Sequence, residues 1–260
     1  MASQPTVPSY SRPPVREAII DIQIDALPEE LLPKLKECGT AFESLYPKTK
    51  THYRGTISMK VSDGDVTSEQ NRQLFGYSFH SLDENRCVQL RSDGFTFNLL
   101  KPDPMAQWPG WQVLREEAHG AWDKYVIATK PVEIKRLAVR YINQIVIPEG
   151  KIELLDYFTE PPRVPDGLPQ SLNHYFSRIV VNNPDPNAFI IITQAPAPQK
   201  YQNQPTFTLD IDVIREQRMP LDSFDLWSTL DSFRELKNTV FEASLHPKAK
   251  DLFGPEEKVE

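Results

Sequence analysis

Alternation of apolar and polar residues with a period of two recurs along this chain and constrains its fold more than any other feature. In "EAIIDIQIDAL", Ile20, Ile22 and Ile24 alternate with Asp21, Gln23 and Asp25, the pattern of a strand with one buried and one wetter face. "CVQLRSDGFTFNLL" places Asp93-Gly94 between two such runs, a favoured hairpin turn because glycine accepts positive φ. Asp63-Gly64 predicts another turn; its "SDGD" lacks the other ligand positions and the closing Glu of a calcium loop. Further strands are expected at "RLAVRYINQIVIP", "YFSRIVVN", "AFIIITQA" and "TFTLDIDVI".

Helical spacing separates these runs. Pro28 and Glu29-Glu30 suit a helix start, with Leu31, Leu35, Phe42 and Leu45 roughly on one face. Trp111, Leu114, Ala118, Trp122 and Tyr125 recur at steps of three and four, a core stripe that is also able to line a pocket. "KIELLDYF" and residues 223–245 complete the set. Each half therefore reads strand, helix, several antiparallel strands, helix. The expected fold is α+β, an antiparallel sheet with helices packed on one face, in two pseudo-repeated halves at 15–130 and 131–254. The halves form either one continuous sheet or two packed subdomains. A polar, proline-rich arm (1–14) is expected to be flexible, and 255–260 form an acidic tail.

Charge and motif content narrow the function. A net charge of -7 makes general nucleic-acid binding an unexpected role, because phosphate contacts need a concentrated basic surface. The chain has neither the apolar run of a signal peptide nor one of bilayer length, so a cytoplasmic, non-membrane protein is expected. Cys38 and Cys87 form neither a CxxC pair nor a zinc pattern, which fits a reducing compartment. The five histidines lack HExxH spacing, and Walker, GxGxxG and GxSxG signatures are missing; no cofactor or metal is implied and catalysis has no positive signal.

One polar constellation stands out. "RLAVRYINQIVIP" carries Arg140 opposite its Leu137, Val139, Tyr141 and Ile145 face, while Asn143 falls on the apolar side and needs a bulge, a strand end or a polar cavity to satisfy its amide. "LDIDVI" presents Asp210 and Asp212 together, and Asp21 repeats the arrangement in the first strand. Arg140, Asn143, Asp210, Asp212 and Asp21 are thus the candidate ligand-binding residues. Two readings stay open: the solvated face of a one-sided sheet, or a polar basin for a small ligand or nucleotide, with acids able to hold Mg²⁺ for phosphoryl chemistry.

The ordered motifs "PPVREAIIDIQID", "DGFTFNLLKP" followed by Trp108, "RLAVRYINQIVIP", "LDIDVI" and "VFEASLHPKAKDLFG" resemble a sporadically distributed bacterial family of uncharacterised proteins about 250 residues long. The likeness runs from about Pro13 to Gly254 and brings no activity or catalytic residues with it. The chain departs from that pattern at Leu99, where a basic residue often follows the asparagine. Such sporadic distribution is typical of accessory and defence systems. The expectation is a non-enzymatic interaction protein with a protein partner, and self-association is compatible with it.

Overall fold

The computed structural model describes residues 9–62, 65–101, 106–148, 152–170, 172–198, 204–221 and 223–255. The alternating runs become one nine-stranded antiparallel sheet. In the first half, β1 (Val15–Gln23) is followed by a meander of β2 (Lys48–Ser62), β3 (Asp65–His80), β4 (Arg86–Arg91) and β5 (Gly94–Leu100). The second half contributes β6 (Glu133–Ile134), β7 (Arg136–Val146), β8 (Ser177–Asn183), β9 (Ala188–Ala197), β10 (Thr206–Arg215) and β11 (Met219–Pro220). The order is β2-β3-β4-β5-β1-β7-β10-β9-β8, while β6 and β11 pair separately. Of the two arrangements compatible with the sequence, the continuous sheet is found. Its centre is the antiparallel pair β1 and β7, and each half returns a late strand to its opener, β5 to β1 and β10 to β7.

Three helices cover one face: α1 (Leu32–Thr40) over β3, α2 (Trp111–Thr129) over β1, β4 and β5, and α3 (Ser223–Ser244) over β7 and β10; the short α4 is Pro247–Asp251. Between helices and sheet lie Ile20, Ile22, Phe95, Phe97, Val139 and Ile211, all fully buried, so the inward half of each alternation supplies the core. The α2 stripe packs as expected, with Trp122 and Tyr125 against Phe95. The opposite face of the sheet carries the polar half.

Local details differ from the sequence reading. The first helix starts as a 3-10 turn at Glu29–Leu31 and becomes α-helical at Leu32, with Pro33 in its first turn where a missing N–H does no harm. It stops at Thr40, so Phe42 is buried beyond its end and Leu45 points outward, 66% exposed. Of "KIELLDYF", the described residues 152–158 form only the 3-10 turn Leu154–Asp156, and Phe158 turns inward onto Phe207 before a helix can propagate. The end of the arm expected to be flexible is tied into the fold. The N–H groups of Ser11 and Arg12 donate to the carbonyls of Gly254 and Phe253 at 2.9 Å, and the Tyr10 hydroxyl donates to Glu242 at 2.8 Å. Residues 1–8 of the arm, 256–260 of the tail and the Asp63-Gly64 turn lie outside the described residues.

Candidate functional site

The register of five strands assembles the polar face. Asp21 on β1 stands opposite Thr96 on β5 and Ala138 on β7, and Asp212 on β10 stands opposite Arg140. The Asp21 carboxylate accepts bonds from Arg91 Nη2 at 2.7 Å, Thr96 Oγ1 at 2.7 Å and Arg136 Nη1 at 2.5 Å. Arg140 turns from Asp212 to the diagonal Asp210, which it grips through Nε at 2.9 Å and Nη2 at 2.6 Å. Farther along, Asn98 donates to Glu17 at 2.6 Å and accepts from Gln89 at 3.1 Å.

Four of the five residues singled out from sequence share this face; Asn143 does not. It is buried on the helix side, where its amide donates to the Leu209 carbonyl at 3.0 Å, beside a register shift between Val15 and Glu17 of β1. The backbone of the neighbouring strand β10 thus holds its amide, apart from the polar face. Arg136 and Arg91, which complete the network, were missed. Arg136 was legible in principle, because it lies four residues before Arg140 on the same face of one strand. Arg91 was not, since its link to Asp21 crosses from β4 over β5 to β1.

Electrostatically the face divides into satisfied and unsatisfied parts. Arg91, Asp21 and Arg136 are each about 85% covered and mutually paired. Asp212 is equally covered, yet its Oδ1 has no hydrogen-bond partner and Arg136 stands 3.9 Å from Oδ2. Burial, reinforced by repulsion from Asp210 and Asp21, pushes its pKa up to about 6 against the attraction of Arg136 and Arg140.

A second cluster joins residues distant in sequence. His52 Nε2 is 2.8 Å from Ser78 Oγ, which is 3.0 Å from His80 Nε2, and the Cys87 sulfur is 3.8 Å from that nitrogen. Its chemistry is quiet: Ser78 is almost fully buried, burial drives the Cys87 thiol up to about 12, and burial lowers the His80 pKa. Among the described residues no group of three His, Cys, Asp or Glu side chains is placed to hold a metal, and no helix is long and apolar enough to cross a membrane. Beneath the proline-rich connection a cleft of about 950 Å³ is lined by Leu154, Pro162, Leu172, Tyr175, Pro196 and Phe207. Tyr175 stacks on Phe207, and its buried hydroxyl has no hydrogen-bond partner.

The two sheet edges are built differently. Edge strand β2 carries Lys48, Lys50, His52 and Arg54 in its first seven residues, and charged side chains discourage a further strand from adding there. Edge strand β8, "SRIVVNN", has Arg178 as its one ionisable residue and exposes Ile179, Val180 and Val181 by 47%, 52% and 40%. Its partner on one side is β9, and the other side is open among the described residues. No protein-family model matches this chain, and no curated protein is significantly similar to it.

Proposed function

We propose that this protein is a non-enzymatic interaction module of the bacterial cytoplasm, serving an accessory or defence-related system and engaging a protein partner by strand addition at β8. The observation carrying this reading is the contrast between the edges: one is blunted by charge, while the other offers backbone groups unpaired among the described residues, flanked by three consecutive exposed apolar residues. An unguarded apolar edge is an aggregation hazard unless something covers it. A reducing compartment agrees with two buried thiols on separate elements, which burial raises to about 11 at Cys38 and about 12 at Cys87. The bacterial setting rests on the family resemblance of the ordered motifs.

The test is site-specific photocrosslinking from position 180 in the native host, with the crosslinked peptides sequenced. A partner joined at β8, and lost from Val180→Pro while that variant stays folded, supports the module. A partner whose binding ignores Val180→Pro refutes this assignment of the surface.

The orphan oxygen of Asp212 favours a second reading, a polar small-ligand site on the open face. Native mass spectra of the protein from its host would then show a small added mass that disappears in Asp212→Ala and Arg140→Ala. A bare wild-type mass would rule against it.

A further inference from the structure

We infer that the occupant of β8 is the β8 strand of a second copy of this chain, paired antiparallel about a two-fold axis through Val180. This rests on the reading of β8 as an interface and names the partner. Antiparallel self-pairing of a strand is isologous, so each residue meets the one equally far from the axis. With Val180 on the axis, Ile179 faces Val181 of the partner copy and Val180 faces its own equivalent, so all three exposed apolar residues meet apolar residues. Arg178 then faces Asn182. A slip of one residue would set one end of the apolar run against a polar residue, Val181 against Arg178 in one direction and Ile179 against Asn182 in the other.

The faces match as well. Ile179 and Val181 pair with Ile192 and Ile190 of β9, on the helix side of the sheet, so two copies would fuse these residues into one apolar strip. Val180, Arg178 and Asn182 lie on the opposite face. Charge does not oppose this pairing, since the strand holds a single cation and its counterpart is neutral. β2 is less suited to this, since self-pairing within its basic segment, about Thr51, would set Lys48 against Arg54 and Lys50 against His52.

Sedimentation velocity and light scattering across a concentration series test the inference on the full chain. The wild type is expected at twice the 29.8 kDa protomer mass. Asn182→Glu sets two Arg–Glu pairs across the axis and should tighten the dimer by roughly 2- to 30-fold. Asn182→Arg sets Arg against Arg twice and should loosen it by a similar factor. Position 182 is exposed, and unchanged melting of dilute samples verifies that both variants fold. A wild-type monomer at all concentrations overturns the inference, as does a dimer whose affinity neither substitution moves. If the wild type is monomeric but the position-180 crosslinker captures a different protein in the host, self-pairing falls and the interaction-module reading stands. If it captures nothing, both fall.

Discussion

Lys237 should weaken this fold at neutral pH, and replacing it with methionine should strengthen it. The lysine lies on α3 between Phe233 and Phe241, one helical turn from each, in the stripe that packs on the sheet. It is 8% exposed, and its Nζ sits 3.9 Å from the centre of the Tyr141 ring. Burial lowers its pKa from 10.5 to about 7, helped by Arg234 and opposed by Glu235 and Glu242. Each tenfold change in proton affinity is worth about 1.4 kcal/mol, so that difference costs the folded state about 5 kcal/mol where the unfolded chain is fully protonated. The attraction of the ammonium to the Tyr141 face offsets about 1–2 kcal/mol, leaving roughly 3 kcal/mol.

The folded pKa lies below the unfolded one, so the penalty is fully present below about pH 7 and vanishes as pH rises toward 10.5. Methionine matches the aliphatic stem without the charge. Urea denaturation should therefore show Lys237→Met more stable by about 3 kcal/mol at pH 6, with a gain below about 1 kcal/mol at pH 10. An equal gain at both pH values would mean that packing, not ionisation, is responsible. A loss at pH 6 would refute the reasoning outright, because it would require the ammonium to be better solvated inside than in water.

Asp212→Asn should stabilise by roughly 1–3 kcal/mol at pH 8; the raised carboxyl pKa makes the penalty full above about pH 6, and melts at pH 4 should show most of the gain gone as the acid protonates toward its unfolded value. Asp21→Ala leaves Arg91 with Asp93 and Arg136 with only its more distant carboxylates and should cost about 2 kcal/mol in denaturant, whereas Asp210→Ala frees Arg140, which is 43% exposed, and should cost about 1 kcal/mol. Gly39→Ala sets helix propensity, a gain of about 1 kcal/mol, against a Cβ that would lie 2.1 Å from the buried Phe79 ring. Overpacking should win by about 1–2 kcal/mol, and a raised melting temperature would contradict that balance.

The period of two made the strand faces legible, whereas the hairpin expected at Asp93-Gly94 turns one residue earlier, at Ser92-Asp93, with Gly94 paired to Arg91. Ile20 and Ile22 against Asp21, and Leu209 and Ile211 against Asp210 and Asp212, face as their alternation requires, because a strand has only two faces and one of them must be dry. The other failures share a different cause: contacts from elsewhere in the chain decided them. The helix expected at "KIELLDYF" yielded to the burial of Phe158, and Tyr10 to Arg12 are held by residues more than 230 positions away. Arg91 reached Asp21 through strand order, which no local pattern encodes.

Strand β8 shows the same conflict at the sheet edge. Three consecutive apolar residues in a short run suit a strand covered on both faces, yet "SRIVVNN" occupies the sheet edge with those residues in solvent. Local pattern and global position conflict there, and such conflicts in natural chains concentrate where function overrides foldability. The polar face shows the reverse. Its charges are costly alone but nearly all find partners within the chain, so they settle one another and ask little of an outside ligand. Apart from Asp212 Oδ1, the surface left open among the described residues is the β8 edge, and the chemistry that satisfies a backbone edge is another strand.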